Sequence, residues 1–372
     1  MKLMFEEWTG ERAKMKVIGV GGGGGNAVNT MIAAGLQGID FIVANTDGQA
    51  LRSSMAPIKV QMGLEITKGL GAGACPETGR NAAAEAKEQI REVLTGADMV
   101  FITAGLGGGT GTGGAPIIAQ VARDTGALTI AVITKPFAFE GRKRQKQAEA
   151  GLAALRKSVD TIVTVPNERL LSCTDRCIPI LDAFKLADQI LLQGVKGIVD
   201  LITQPGLINL DFADVRTVMT DMGLALLGTG SAKGEDRAIQ ASRAAIACPL
   251  LEDVTLQGAK GVLINISGSS NLTLHEVSAA ASLVHDQAHQ EANIIFGAVI
   301  DETLADEVRV TVIATGFGAP AEPAVTKEPV PSRQPDLDVP AFLRKERLLE
   351  RPRAQAEETS YRLPTLLRKA VD

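Results

Sequence analysis

"ITAGLGGGTGTGGAP", residues 102–116, decides how the chain is read. An apolar run, Met99–Ala104, leads into it, and a helical pattern near 115–125 leaves it. Pro116 suits a first helical turn. Between the two, GGGTGTG (107–113) holds five glycines and two hydroxyls. A strand-to-helix join of this kind frees backbone N–H groups, and a helix N-terminus favours negative charge. The chemistry suits a phosphate.

A similar join lies upstream. "VIGVGGGGGNAV" (17–28) contains G-x-G-x-x-G at Gly19, Gly21 and Gly24. Asp47 closes the next strand, where a dinucleotide-binding fold places its ribose-binding acid. Alone, this admits a nicotinamide or flavin enzyme. A second glycine join on the same sheet edge, with "KGLGAGA" (68–74) as a third glycine-rich loop, favours a ligand with several phosphates. Neither join ends in the Lys-Ser/Thr of a P-loop, so amides, hydroxyls and a metal ion would hold the phosphates.

The rest of the chain supplies the scaffold. Strand candidates are Lys16–Val20, Ile39–Ala44, Ile58–Val60, Met99–Ala104, Leu128–Thr134 and Thr161–Val165, with helical patterns near 26–35, 77–95, 115–125 and 143–157. This alternation predicts an α/β fold with a doubly wound, mainly parallel sheet, ligands lying at the carboxyl ends of its strands. Ile180–Thr203 reads as one long amphipathic helix. Beyond a further helix at Asp211–Asp221, strands at 223–229, 261–267, 292–300 and 307–316, with helices near 234–247 and 274–290, predict a second, smaller α/β domain. The expected division is an N-terminal extension 1–15, a nucleotide domain 16–179, a central helix 180–203 and a second domain 204–317. A flexible linker 318–335, a compact segment 336–346 and an extra tail 347–372 follow, all expected to be disordered alone.

Composition excludes several classes. The chain has 372 residues, enough for two domains, and a formal charge of −5, which argues against nucleic acid as the main partner. Aromatics are scarce, with one Trp, one Tyr and ten Phe, so the core is aliphatic. Cys173 and Cys177 form a C-x-x-x-C pair with no partner set to complete a zinc site. The first residues carry acids where a signal peptide needs an apolar stretch, and no run is long enough to span a bilayer. A cytoplasmic protein with reduced thiols is expected.

Other residues have suitable chemistry. Glu140 can accept from a sugar hydroxyl and Arg144 can reach sugar or phosphate, though both also read as solvated helix charges. Asn167 stands at a strand end. Asp188, early on the long helix, can accept the two adjacent N–H donors of a guanine, although its chemistry alone does not single it out among the forty-three acids of the chain. In "NLDFADVR" (209–216), Asp211 reads as an N-cap and Asp214 as an acid of the first turn.

Together these stretches resemble the FtsZ family of bacterial tubulin homologues. GGGTGTG is similar to the tubulin-type signature. "GVGGGGGNAVN" (19–29), "VANTD" (43–47), "GLGAGA" (69–74), "PFAFEGRKR" (136–144), "NLDFADVRTVM" (209–219), "EANIIFGAVID" (291–301) and "DEVRVTVIATGF" (306–317) follow in the family's order. The resemblance runs from about residue 14 to 317 and resumes at 336–346. It implies a tubulin-like fold and a GTPase that polymerises head to tail into filaments, forming the cytokinetic ring at the mid-cell division site. It implies GTP and GDP as ligands, with Mg²⁺ held through the phosphates rather than by a protein ligand set.

Position by position, it implies phosphate binding by Gly21, Gly22, Gly23, Gly24, Gly25 and Asn26. Gly105, Gly107, Gly108, Gly109, Thr110, Gly111, Thr112 and Gly113 would share that role. Ala72, Gly73 and Ala74 would approach the γ-phosphate. Asn45 and Asp47 would face ribose or the metal region; Thr134, Glu140 and Arg144 would contact ribose and nearby phosphate. Asn167, Phe184 and Asp188 would hold guanine, with the Phe184 ring stacked on it. Asn209, Asp211 and Asp214 would act on the γ-phosphate of the next subunit. Asp338, Pro340, Phe342, Leu343, Arg344 and Lys345 would dock division proteins that anchor or regulate the filament.

Three departures stand out. Cys75 replaces the Asn of many relatives, the linker is short, and residues 347–372 follow a docking segment that usually ends the chain. Residues 341–372 carry eight Lys/Arg against five Asp/Glu, and 361–372 can form a short basic amphipathic helix, a second docking peptide or a membrane-surface contact, or a plain extension. Two rival readings are a dinucleotide-dependent oxidoreductase and a filament scaffold that binds nucleotide without hydrolysing it.

Overall fold

A computed structural model describes residues 13–171, 178–203, 211–250 and 258–317. Its first half alternates strand and helix: β1 (Met15–Val20), α1 (Gly21–Ala33), β2 (Ile39–Asn45), α2 (Gly48–Ser53), β3 (Ile58–Gln61), α3 (Leu64–Thr67), α4 (Pro76–Glu85), α5 (Lys87–Leu94), β4 (Met99–Gly105), α6 (Thr110–Asp124), β5 (Leu128–Lys135), α7 (Arg142–Leu155), β6 (Thr161–Pro166) and α8 (Asn167–Leu170). The long helix α9 (Ile180–Thr203) follows. Then come α10 (Phe212–Met219), β7 (Gly223–Lys233), α11 (Arg237–Ile246), β8 (Gly261–Gly268), α12 (Leu274–Gln287), β9 (Asn293–Ile300) and β10 (Glu307–Thr315).

All ten strands belong to one sheet, ordered β3-β2-β1-β4-β5-β6-β7-β10-β8-β9. Strands β1 to β6 are parallel, β10 runs antiparallel to β7 and β8, and β9 is parallel to β8. The mainly parallel α/β architecture expected from the alternation is present. Parallel interior strands are covered on both faces, which is why they read as continuous apolar runs. Along β1, Met15 and Val17 join one core while Ile18 and Val20 join the other. The first core lies under α1, α9 and α10; the second lies under α4 to α7. A third forms where α11 and α12 cover β7, β8 and β10. Helix α9 contributes Ile190, Leu191, Val195 and Ile198 to the same core as Leu263 and Ile313 of β8 and β10. One helix therefore binds both halves of the sheet.

Strand order reverses between β1 and β4, whose neighbours are β2 on one side and β5 on the other. A crevice opens at such a point, at the carboxyl ends of the strands. The two glycine segments, following β1 and β4, both fall there.

Three local expectations change. The glycines of 21–25 are the opening turns of α1 rather than a loop before it. Helix α6 starts at Thr110, so Pro116 lies inside it instead of in its first turn. Close packing against neighbouring strands and helices overrides the low helix propensity of glycine at both places. The predicted helix 77–95 divides at Ala86 into α4 and α5. Residues 318–372, with the expected linker, docking segment and tail, lie outside the described residues, as do Cys173 and Cys177.

Candidate nucleotide site

The N-termini of α1 and α6 converge on one cleft of about 440 Å³. Gly22, Gly23 and Asn26 line it from α1; Gly105, Gly108, Gly109, Thr110 and Gly111 line it from the second glycine segment. The first N–H groups of a helix have no partner within it, and two such ends aimed at one space favour an anion with several acceptors. Gly21 turns the chain into α1 with φ +72, a conformation costly for any residue with a side chain.

The remaining glycines of these segments have other work. Gly24 and Gly25 are buried behind the cleft, and a Cβ on Gly24 would lie 2.3 Å from the Thr103 carbonyl oxygen. Gly107 donates its N–H to Thr112 Oγ1 at 2.8 Å. Thr112 is thus a buried brace for the turn, and neither it, Gly107 nor Gly113 lines the cleft. Thr110, on the wall, shares a 2.7 Å hydrogen bond with Thr46.

The opposite wall comes from β5, α7, α8 and α9. Thr134, Glu140, Arg144, Asn167, Phe184 and Asp188 all line it. Glu140 pairs with Arg144 one turn away and accepts the Phe137 N–H at 3.0 Å. Phe184 meets the buried Phe137 edge-on, centroids 5.4 Å apart, and remains 40% exposed, leaving ring surface open to the cleft. Asn167 is 5% exposed and its Oδ1 has no hydrogen-bond partner. A buried acceptor left without a donor is costly, so this atom suits a ligand N–H or O–H. Burial raises the Asp188 carboxyl to about 6, so a donor pair facing it restores what desolvation removes. Ala187 and Leu191 also line the cleft. They went unread in the sequence, although 184, 187, 188 and 191 have the spacing of a single helix face.

Ala72, Gly73 and Ala74 form a separate rim. Cys75 donates its N–H to the Ala72 carbonyl at 3.0 Å, and Gly73 and Ala74 have φ +56 and +57. This is a turn of the I′ class, with a non-glycine residue at its second central position. It packs on Gly109, where an added Cβ would come within 2.9 Å of both Ala72 Cβ and Cys75 N. The exposed Cys75 thiol is lowered from its ordinary value by hydrogen bonds from the backbone and side chain of Thr78.

Asn45 and Asp47 are not on the cleft lining. Asn45 is buried and accepts the Asp47 N–H; Asp47 caps α2, accepting from Gln49 and Ala50. Among the described residues, no group of three or more His, Cys, Asp or Glu is arranged to hold a metal ion. The hydroxyls and amides of the cleft suit an ion that arrives with phosphate oxygens. His275 and His285 lie on α12 and His289 just beyond it, away from the cleft.

Asp211 and Asp214 occupy the other edge of the sheet. Asp211 caps α10 and Asp214 lies in its first turn; both are exposed. Helix α10 is tied to the amino ends of the strands: Thr161, which starts β6, donates to the Met219 carbonyl, and Arg216 reaches Gly126 before β5. The cleft gathers at the carboxyl ends, beyond roughly 25 Å of strand. Asn209 and the docking residues Asp338, Pro340, Phe342, Leu343, Arg344 and Lys345 lie outside the described residues. Among those described, no helix is long and apolar enough to cross a membrane.

Comparison with known proteins agrees with this geometry. Residues 14–175 match the GTPase domain of the Tubulin/FtsZ family, and residues 223–318 match the FtsZ family C-terminal domain. An empty FtsZ dimer from M. jannaschii is 45% identical, with 82% of this chain and 89% of that chain covered at a TM-score of 0.79. A variant FtsZ from the same organism is also 45% identical, covering 82% and 92% at 0.80. CetZ2 from Haloferax volcanii shares the fold at 21% identity, covering 82% and 93% at 0.71.

Proposed function

The chain belongs to the FtsZ family and carries its GTPase domain, and from that premise we propose that it completes GTP hydrolysis only when subunits stack head to tail. GTP lies in the cleft between α1 and α6, its phosphates on the two helix ends and the 72–74 turn, its guanine against Phe184, Asn167 and Asp188. Mg²⁺ enters with the phosphates and neutralises their charge. Asp211, Asp214 and Asn209 of the next subunit orient and polarise the attacking water. A heterologous contact that does not close produces a filament. The FtsZ structure from M. jannaschii is a dimer, which supports self-association. In the cell this filament forms the ring at the bacterial division site, and 336–346 docks the proteins that anchor or regulate it.

One observation carries the reading. The acids suited to activating water stand at the edge of the sheet opposite the cleft, so no single chain can bring them to its own nucleotide. GTP turnover measured against protein concentration, with light scattering alongside, tests it. Activity per subunit rises above a threshold concentration at which scattering also rises. Turnover independent of concentration overturns the mechanism.

A further inference from the structure

The turn Ala72–Cys75 is held in place from outside. Its closing bond, Cys75 N–H to the Ala72 carbonyl at 3.0 Å, fixes one end of the Ala74–Cys75 peptide group. The other end of that same peptide, the Ala74 carbonyl, accepts from Gln147 Nε2 at 3.3 Å. The peptide is therefore pinned on both sides. By contrast, among the described residues no hydrogen bond engages the N–H of Gly73 or Ala74, and both residues are exposed. Two free donors thus sit at the tip of a fixed turn that abuts Gly109 on the cleft wall.

Pinning matters here because the turn is strained. Ala74 holds φ +57, which biases a residue with a side chain against this conformation by roughly five- to thirtyfold. A residue with a side chain at this position favours negative φ, in which the turn carrying the two donors is lost. Gln147 stands on α7 one turn beyond Arg144, whose partner Glu140 lines the opposite wall. One helix therefore reaches the cleft wall through Arg144 and the rim turn through Gln147.

We propose that Gln147 is a positioning residue that keeps the 72–75 turn in its left-handed form and so sets the preference for GTP over GDP. This rests on the reading that the γ-phosphate meets this turn. GDP, ending one phosphate earlier, does not use the two donors. Gln147 touches no nucleotide atom; it acts through the Ala74 carbonyl.

The test compares Gln147→Ala and the near-isosteric Gln147→Met, which keeps the packing and removes the donor. GTP and GDP affinities are measured by competition against a fluorescent guanine nucleotide, at a protein concentration without assembly. A net hydrogen bond is worth about a two- to tenfold change in an equilibrium. Both variants lose about that factor in GTP affinity while GDP affinity stays within about twofold. Adding Ala74→Gly, which holds the turn without strain, restores the GTP preference of Gln147→Met. Equal loss of both nucleotides, no loss of either, or failure of Ala74→Gly to restore the preference overturns the inference. Wild-type protein that binds guanine nucleotides without preferring GTP overturns it alone; wild-type protein that binds neither overturns the proposed function with it.

Discussion

Asp211 Oδ1 accepts the backbone N–H of Asp214 at 2.8 Å, so one carboxylate fixes the start of the helix on which the other rides. Cap and charge can be separated by substitution. Asp211→Ala removes both and costs about 1 kcal/mol of stability, or roughly 2–4 °C in Tm. Asp211→Asn keeps a capping oxygen and leaves Tm within about 1 °C. Both lower GTP turnover at least tenfold while still binding GTP and assembling. Wild-type turnover in Asp211→Asn would show that the cap is the whole role of this residue.

The proposed contact of Asp188 with guanine predicts a pH-dependent nucleotide affinity. Burial raises its carboxyl to about 6, above its ordinary value. Above that pH the group is ionised and able to accept two donors; below it the proton occupies the acceptor. Affinity is flat above about pH 7 and falls by up to tenfold per unit below 6. The effect on the free protein has the opposite sign: a carboxyl raised on folding adds stability as pH falls from 6 towards 4. Asp200, also raised to about 6 by burial, titrates in the same window but lies off the cleft lining. Calorimetric titrations from pH 5 to 8 on wild type and Asp188→Asn separate the two, because the variant loses affinity at pH 7 and its profile flattens.

Two glycines of one segment respond oppositely to alanine. At Gly113 an added Cβ would lie 1.9 Å from the Pro76 carbonyl oxygen, so Gly113→Ala forces α4 and α6 apart and destabilises by about 2–4 kcal/mol. At Gly108 nothing lies within 4 Å and φ is not positive, so Gly108→Ala leaves Tm within about 2 °C. Because Gly108 lines the cleft, it is the one that loses nucleotide affinity, by about tenfold or more. Thermal melts with and without GTP distinguish the pair.

The strands were legible because parallel interior strands are apolar on both faces; β1, β4 and β5 begin and end within a residue or so of their apolar runs. Helix starts were less legible, since α1 opens on glycines that only contacts such as Gly24 against Thr103 can hold helical. The cleft's composition was visible in its motifs, but the division of labour among its glycines was not. Spacing puts Asp47 near a ribose; the fold gives its carboxylate to α2. Local pattern says nothing about which atoms a distant helix will approach. The same limit hid the tie from Gln147 to Ala74, seventy-three residues apart.

Strands β6 and β7 meet over three residue pairs, Thr161 with Gly223, Ile162 with Leu224 and Val163 with Ala225, whereas β7 pairs with β10 all the way from Ala225 to Lys233. Load passing through the sheet between its parallel half and the half built from β7 to β10 must cross those three rungs, with α9 as a parallel strut. Compliance under a bending load concentrates at the narrowest rung set. A polymer of this chain would flex within its subunits, at this seam, as well as between them.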